Sequence, residues 1–244
     1  MSELTFEASG VAKTAERQMQ RWLVAQQVQQ GIQRENAVRH LTKELHDYIA
    51  ISRQTGASGS VVARRLGEQL GWQVFDRELL DQLADRFNLQ HAVVENVDET
   101  TNSWLWEAIS KWLDHRVLTQ SEYVAHLGKI VLMAAHHGNA IFVGRGAQFL
   151  LPRERGLTVR IIAPLQQRIK RIMAERDCSD HEAALYIDRT DRGRFHFVQQ
   201  YFHHDVDDHS LYDVVIDMNE HRIEDAIELL MQRCDQRFPA VARG

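Results

Sequence analysis

Short apolar runs alternate with longer stretches of helical periodicity from residue 48 onwards. The apolar runs are rich in β-branched or aromatic residues and lie at 48–52, 72–76, 140–144, 157–163 and 212–217. At least one amphipathic stretch separates each run from the next. This alternation is typical of a parallel sheet that helices cover on both faces, and it predicts an α/β fold.

Two further segments predict helices outside this alternation. In residues 11–46, apolar positions recur every three or four residues, which favours helices. We interpret residues 1–46 as an N-terminal helical extension that either packs on its own domain or forms a homodimer contact. Residues 103–138 predict two more helices, and their three tryptophans are more typical of a packed insertion than of a ligand cage.

Composition and charge exclude several classes of protein. The formal charge of −5 and the pI near 6.2 argue against a general nucleic-acid-binding protein, which needs a basic surface. No apolar run approaches the roughly 20 residues that span a bilayer, and the first ten residues lack the pattern of a signal peptide. We therefore expect no nucleic-acid or membrane partner and a cytoplasmic location. Cys178 and Cys234 are too few for a disulfide framework or a four-cysteine metal site.

The first predicted strand leads into a segment with the order of a phosphate-binding loop. Residues 48–52 form the strand, residues 53–60 the turn and residues 61–71 a helix closed by a glycine. Gly56 and Gly59 can adopt backbone angles that a side chain would disfavour. Successive backbone N–H groups and a helix N-terminus converge on an anion in this arrangement. The segment therefore predicts phosphate binding.

The loop does not match the usual motif G-x-x-x-x-G-K-[ST]. The register that preserves the start of the helix places Ser60 at the hydroxyl position, but Gly59 at the lysine and Arg53 at the first glycine. A guanidinium can replace the ammonium charge and adds bidentate geometry for phosphate. Arg53 is the best candidate for that role, because Arg64 and Arg65 are also typical of solvated helix positions.

Several blocks in the same order resemble the cytidylate kinase-like proteins, relatives of bacterial cytidylate kinase, whose phosphate loop also lacks the lysine. Together they span about residues 48–235, and the N-terminal extension lies outside them. The blocks are ISRQTGASGSVVARRLGEQLGWQVFDRELLDQLA, AIFVGRGAQFLL, VRIIAPLQQRIKRIMAERDCS, IDRTDRGRFHFVQQYF and YDVVIDMNEHRIEDAIELL.

The resemblance implies a three-layer fold of the P-loop NTPase type, with a parallel sheet of five strands. Residues 47–238 would form the kinase domain, with a nucleoside-monophosphate-binding region and helical insertion at about 77–138. An arginine-bearing lid would lie at about 186–204. The implied reaction passes the γ-phosphoryl group of ATP, with Mg²⁺, to CMP or a similar small phosphate-bearing acceptor.

The donor side of the implied site begins at the loop. Its backbone N–H groups and Arg53 would bind the nucleotide phosphates, and the Ser60 hydroxyl would help to place the Mg²⁺ that ATP carries. Arg168 would flank the donor base, although exposed helix charges give the same pattern. The phosphate-binding residues of the loop are Gly56, Ala57, Ser58, Gly59 and Ser60.

The acceptor and lid side is implied by arginines, because phosphoryl transfer depends on neutralising the charge of the moving group. Arg145 follows the third strand at the carboxyl edge of the sheet and matches the arginine that grips the acceptor in the family. Asp76 matches an acceptor-binding aspartate, with a simple helix N-cap as the alternative. The predicted catalytic lid residues are Arg189, Asp191, Arg192 and Arg194, of which Arg189 and Arg192 are spaced to share a helix face.

Three departures from the family pattern keep other functions open. Val143 and Gly146 stand where the family has aspartates beside the arginine, and Gln82 stands where it has an acceptor arginine. A kinase for a non-nucleotide metabolite and a nucleotide-binding regulatory or assembly protein without transfer chemistry are therefore alternatives. The segment 203–209, HHDVDDH, contains metal-ligand residue types, but solvated or N-capping groups explain it equally well.

Overall fold

A computed structural model describes residues 42–82 and 122–238. Within these residues, five parallel strands form one sheet in the order β2-β3-β1-β4-β5. The predicted strands and the parallel α/β architecture are confirmed, with shifts of one or two residues at the strand ends. The strands are β1 (Tyr48–Arg53), β2 (Gln73–Phe75), β3 (Ala140–Val143), β4 (Gly156–Ile162) and β5 (Val214–Asp217).

Helices connect the strands and cover the sheet. Residues 42–44 and 77–82 are also helical, and short 3₁₀ turns lie at Arg153–Arg155 and His209–Leu211. The main helices are α1 (Gly59–Leu70), α2 (Glu122–His137), α3 (Ala147–Leu150), α4 (Leu165–Arg176), α5 (Asp180–Phe202) and α6 (Ile223–Arg237).

Strand β1 shows why the sheet needs helices on both faces. All of its residues are buried, and successive side chains point to opposite sides. Tyr48 and Ala50 pack in one apolar core with α2 and α3, whereas Ile49 and Ile51 pack in the other with α1 and α6. A continuous apolar run of this kind is typical of a strand in a three-layer parallel fold.

The segment at about 186–204 that the resemblance implies as a lid lies almost wholly in one continuous helix of 23 residues, α5. Ser179 and Glu182 form a capping box at its start. A separate apolar cluster, which includes Ile172 and Ile187, joins α5 to α4. At the other end, Phe202 enters the core shared with α2 and α3. Both ends of the helix are therefore fixed to the body of the domain.

Some predictions lie outside the described residues. These include the N-terminal extension as far as residue 41, and with it the homodimer contact, and the part of the insertion that carries the tryptophans. Helix α2 is the described part of the predicted 103–138 insertion. Across the described ranges, none of the helices combines the length and apolar character needed to cross a membrane.

Candidate functional site

The loop between β1 and α1 lies where open α/β sheets bind ligands. Strand β1 is flanked by β3 and β4, so the order of the sheet reverses there and a crevice opens at its carboxyl edge. Gly56 and Ser58 have φ of 76° and 62°, and α1 begins at Gly59. The N–H groups of Gly59 and Ser60 belong to the first turn of α1, where no intrahelical acceptor exists. Backbone donors are thus available at the loop, as the sequence predicted for a phosphate site.

Two arginines of α4 donate hydrogen bonds to the backbone of this loop. Arg168 donates hydrogen bonds to the carbonyl oxygens of Ala163 at 3.0 Å and Thr55 at 3.3 Å, and Arg171 donates to the carbonyl oxygen of Gly56 at 3.2 Å. Arg168 is buried and contacts protein groups, so its visible role is to position the loop. The role of flanking the donor base stays a prediction.

Asp191 joins α5 to the loop. Its carboxylate accepts hydrogen bonds from the backbone N–H and the hydroxyl of Thr55, at 2.9 and 2.7 Å. The same carboxylate accepts from Arg168 at 2.7 Å and from Arg194 at 3.2 Å. Its oxygens are therefore engaged by protein donors, which makes Asp191 a positioning residue in this structure.

A cavity of about 580 Å³ opens beside the loop, between the carboxyl ends of β1 and β3 and one face of α5. Among the described residues that line this cavity, none is acidic. Such a concentration of one charge sign in a concave site attracts and orients anions. The arginines that line it are Arg53, Arg77, Arg145, Arg176, Arg189 and Arg194.

Arg145 and Phe197 line one side of the cavity, and Asp81 and Tyr123 contact Arg145 from outside the lining; we call these four residues the Arg145 wall. Arg145 donates to both carboxylate oxygens of Asp81, from Nε at 2.8 Å and from Nη2, and Tyr123 donates its hydroxyl to the same carboxylate at 2.6 Å. The guanidinium carbon lies 5.7 Å from the Tyr123 ring centroid and 5.2 Å from that of Phe197. The predicted acceptor arginine is therefore rigidly held.

The backbone and the electrostatics of the Arg145 wall agree with a preorganised site. Arg145 has φ of 56° and is flanked by Gly144 and Gly146, which also have positive φ. A non-glycine residue in this region carries strain, which is most often found at functional sites. Burial alone would raise the pKa of Asp81, but the hydrogen bonds from Arg145 and Tyr123 outweigh it and hold the pKa below its usual range.

A second group, which we call the arginine floor, consists of Arg53, Arg160 and Arg194. The side chain of Arg53 runs from the loop towards β3, past two glycines: a Cβ at Gly59 would lie 2.6 Å from the Cβ of Arg53, and a Cβ at Gly144 would overlap its guanidinium. Arg53 is 9% exposed. Burial, with a smaller contribution from Arg194, lowers its pKa to about 9.

The other two members of the arginine floor approach Arg53 from different elements. Arg194 of α5 donates to the backbone carbonyl oxygen of Arg53 at 2.9 Å, and burial lowers the pKa of Arg194 too. Arg160 of β4 is 3% exposed and donates to the Ser52 hydroxyl at 2.7 Å and to Asp207 at 2.5 Å. Together with Asp191, Asp207 and Gln54, all three arginines line a small cavity of about 40 Å³.

Helix α5 presents only some of its arginines to the large cavity. Arg189 and Arg194 line it, together with Tyr186, whose ring lies 4.0 Å from the guanidinium carbon of Arg176. Arg192 instead pairs with Asp188 at 2.7 Å, and its side chain is 72% exposed. Arg189 and Arg192 are neighbours around the helix, as their spacing predicted, but only Arg189 lines the cavity. Three positions turn the backbone by about 300°, and here that offset takes Arg192 out of the cavity.

Asp76 and the segment 203–209 make local contacts that explain their sequence patterns. Asp76 accepts the N–H of Leu79 at 2.9 Å and so caps the helical segment 77–82, which was the alternative to acceptor binding. In the segment 203–209, His204 stacks on Phe149 with ring centroids 4.8 Å apart. Within the part of the chain that the structure describes, no group of three or more His, Cys, Asp or Glu residues could hold a metal ion.

The residues near the loop fit a magnesium ion that arrives on ATP better than one that the protein holds. Mg²⁺ in kinases usually has one or two carboxylate ligands in addition to phosphate oxygens and water. The Ser60 hydroxyl is exposed at the start of α1. Asp191 and Asp207, the carboxylates beside the arginine floor, both pair with arginines. That Ser60 would contact such a magnesium ion stays a prediction.

Several residues that shape the site were not predicted from the sequence. Arg160 lies in the middle of the apolar run LTVRIIA, and an arginine inside a buried strand was a usable signal of a charged site. Asp81 is four residues after Arg77, with which it pairs at 3.6 Å, and this spacing by itself suggests only a surface helix pair. Its contact with Arg145 joins positions 64 residues apart, and no local pattern predicts that contact.

The comparison with known families agrees with this geometry. The sequence matches the family described as the cytidylate kinase-like family over residues 48–220. This range begins at β1 and extends past β5, so it contains the loop, the cavity, the Arg145 wall and the arginine floor. The resemblance inferred from the sequence blocks is confirmed. No curated protein sequence matches the chain significantly.

Solved structures share the fold at low sequence identity. An uncharacterized protein from Eubacterium ventriosum ATCC 27560 has a TM-score of 0.60 and 18% identity, covering 78% of this chain and 99% of that chain. A shikimate kinase from Bacteroides thetaiotaomicron has a TM-score of 0.40 and 14% identity, covering 78% of this chain and 98% of that chain. At these identities the likeness bears on the fold and not on the substrate, and the second match is too distant to support either.

Proposed function

The chain belongs to the cytidylate kinase-like family, and on that premise we propose that it is a P-loop phosphotransferase that acts on a nucleoside monophosphate. The donor is ATP, which enters as its magnesium complex. The observation that carries the proposal is the cavity beside the β1–α1 loop, which six arginines line without an acidic residue among its described lining. A cavity of this charge suits two phosphate-bearing substrates better than one.

Each part of the site has a role in this proposal. The N–H groups of Gly56, Ser58, Gly59 and Ser60 bind the donor phosphates, as expected for a strand, loop and helix N-terminus. The N–H of Ala57 instead donates to the carbonyl oxygen of Gln54 at 3.2 Å. Arg189 and Arg194 lie on the cavity face of α5 and neutralise the charge of the transferring group. Arg145 presents a fixed guanidinium to the acceptor phosphate. Arg192 pairs with Asp188 away from the cavity and takes no step in this scheme.

The acceptor is the least constrained part of the proposal. CMP is the leading candidate because the family resemblance includes Arg145. Val143 and Gly146 bring no carboxylate to the sugar, and Gln82 brings no second arginine. Tyr186 and Arg176 form an exposed planar pair at the cavity, which suits the base of a nucleotide. A phosphate-bearing metabolite without a base is the alternative acceptor.

A panel assay tests this function. Purified protein is incubated with Mg·ATP and each nucleoside monophosphate in turn, and ADP formation is followed with a coupled system. We expect turnover with at least one acceptor and a loss of about 100-fold or more in Arg194→Met, because one stabilising donor is removed from the transition state. Arg222→Met removes the exposed arginine at the N-cap of α6, which pairs with Asp225, and serves as the matched control. Equal rates for the two variants would exclude this role of the cavity.

A second function is favoured by the loop itself. Because the loop lacks the usual lysine and nearby carboxylates pair with arginines, the protein could bind a nucleotide without transferring phosphate. Calorimetry with ATP and CMP separates the two proposals. Tight binding of both ligands without ADP formation would favour a nucleotide-binding regulatory protein, whereas failure to bind either would exclude both functions.

A further inference from the structure

Gly193 lies in the interior of α5, where glycine is an unfavourable residue. It is more than two turns from either end of the helix. Glycine in a helix interior destabilises the fold relative to alanine, because its backbone loses more freedom on folding. The φ of Gly193 is not positive, so the backbone conformation does not require glycine at this position. Another reason for the glycine is needed.

Packing within the described part of the chain does not supply that reason. Gly67, in the interior of α1, shows what a packing glycine looks like: a Cβ there would lie 2.4 Å from Cγ2 of Val74. A Cβ at Gly193 would meet no heavy atom of the described residues within 4 Å, apart from the backbone of its own helix turn. The chain therefore has room for a side chain at position 193, and glycine leaves that room open.

The open space belongs to the large cavity. Thr190 and Phe197 lie about one helix turn on either side of Gly193, and among the cavity-lining residues of α5 only Gly193 has no side chain. The gap between Thr190 and Phe197, over the backbone of Gly193, is what we call the Gly193 notch. The residues of α5 that line the cavity recur every three or four positions and are Tyr186, Arg189, Thr190, Gly193, Arg194, Phe197 and Val198.

The position of the Gly193 notch indicates which part of a ligand it faces. The ring of Phe197 has its centroid 5.2 Å from the guanidinium carbon of Arg145. Gly193 precedes Phe197 by about one turn, which is roughly 6 Å along the helix axis. In the proposed function Arg145 holds the acceptor phosphate, and the group next to the phosphate of a nucleoside monophosphate is its pentose. The notch therefore lies where the sugar ring follows the phosphate.

We propose that Gly193 is a specificity-determining residue, which admits the pentose ring of a sugar-phosphate acceptor against the backbone of α5. The inference rests on the proposed function, because it takes Arg145 as the contact of the acceptor phosphate. The backbone groups of a helix interior already bond to one another, so the notch selects by shape and not by hydrogen bonds. Any side chain at position 193 would occupy the space of the sugar.

Calorimetry with three ligands tests the role of Gly193. CMP, ribose 5-phosphate and inorganic pyrophosphate are each titrated into the full-length wild type, Gly193→Ala and Gly193→Leu. We expect Gly193→Ala to weaken CMP and ribose 5-phosphate by about tenfold and Gly193→Leu by about 100-fold, because added methyl groups overpack the notch. Pyrophosphate has no ring, so its dissociation constant should change by less than about twofold in either variant.

Gly138→Ala is the matched control. Gly138 lies between the end of α2 and the start of β3, away from the residues that line the cavity, and a Cβ there also meets nothing within 4 Å. This variant should bind all three ligands as the wild type does. Gly193→Ala should raise the melting temperature by about 2 to 4 °C, since alanine favours a helix more than glycine does. Weaker binding by a more stable protein would exclude misfolding as its cause.

The outcomes separate this inference from the proposed function. Loss of CMP and ribose 5-phosphate binding with pyrophosphate unchanged would support the Gly193 notch even if the protein forms no ADP. Unchanged CMP binding in Gly193→Ala and Gly193→Leu would overturn it even if ADP forms.

Three further results would also overturn the inference. An equal loss for pyrophosphate would mean that the glycine serves the bending of α5, which affects every ligand. A loss for CMP alone would place the base, and not the sugar, over Gly193. Failure of the wild type to bind both CMP and ribose 5-phosphate would leave the notch without its ligand. Should Gly193→Leu fail to fold, the Gly193→Ala titrations decide.

Discussion

The Arg145 wall and the arginine floor use the same side chain on the same sheet edge in opposite ways. Arg145 is paired with Asp81 through two hydrogen bonds and lies against two aromatic rings. Arg53 is more deeply buried, its Nε lacks a partner and its pKa is lowered to about 9. The wall is complete without a ligand, whereas the floor is electrostatically incomplete without one.

This difference shows that the arginines of one site can have two roles, since some fix the position of a substrate and others supply positive charge. A guanidinium held by its own carboxylate keeps a fixed orientation, so it can position a substrate, but much of its charge is already compensated. An unpaired buried guanidinium contributes its full charge to an anion, and the protein is less stable until that anion binds. We therefore expect substitutions in the Arg145 wall to reduce stability and substitutions in the arginine floor to reduce ligand binding and phosphoryl transfer.

Arg53→Met gives the largest expected effect on activity. Because it removes a buried charge at the phosphate site, kcat/KM should fall by about 100-fold to 1000-fold, which corresponds to about 3 to 4 kcal/mol. The free energy of unfolding should stay the same or rise, because an unpaired buried cation is lost. Steady-state kinetics and urea denaturation measure the two quantities. A clear loss of stability would remove the contrast between wall and floor.

Asp191→Ala should have the largest effect on stability. It leaves Arg194, Arg168 and Thr55 without their shared acceptor and weakens the connection of α5 to the loop, so we expect a loss of about 3 kcal/mol. Asp188→Ala, in the exposed pair with Arg192, should change stability by less than about 0.5 kcal/mol. Urea denaturation of both variants checks the prediction. Equal values would show that Asp191 does not hold α5 to the loop.

Asp81→Ala should have a smaller effect on stability, of about 2 kcal/mol, because the carboxylate is partly exposed. The substitution leaves the guanidinium of Arg145 and the hydroxyl of Tyr123 without their partner. The double variant Asp81→Ala, Arg145→Met should recover part of the loss, since it no longer leaves an unpaired charge. An additive loss in the double variant would mean that the two side chains are not coupled.

The pH dependence of the Arg145 wall is the smallest expected effect. Hydrogen bonds from Arg145 and Tyr123 keep the pKa of Asp81 in the folded protein below its value in the unfolded chain. Its contribution to stability is therefore fully present above about pH 4 and is lost as the pH falls through the folded pKa. Denaturation at a series of pH values should show the wild type losing its advantage over Asp81→Asn below that range. A constant difference would contradict the coupling.

The fold was largely predictable from the sequence, because strand and helix patterns are local. The five apolar runs and the closing Gly71 of α1, which has φ of 67°, lie where the sequence placed them. The resemblance to the family also pointed to the loop and to Arg145. These features depend on residues that are close together in the chain.

The charge balance of the site was not predictable in the same way. Arg145 pairs with Asp81, and Arg160 pairs with Asp207. Tertiary packing brings the members of each pair together. The direction of a helix face also depends on where the helix docks, which is why Arg189 lines the cavity and Arg192 does not. Whether an arginine has a carboxylate partner depends on the three-dimensional structure, and it determines how much of its charge is available to a ligand.

The central claim is that the protein transfers a phosphoryl group from ATP to a small acceptor and that the arginines beside the loop stabilise this transfer. A single-turnover experiment with γ-labelled ATP and an excess of protein tests this claim most directly. We predict that label moves to a nucleoside monophosphate, and that Arg194→Met slows the transfer by about 100-fold or more whereas Arg222→Met leaves it unchanged. If label stays on ATP with every acceptor, or if Arg194→Met transfers it as fast as the wild type, the account is contradicted.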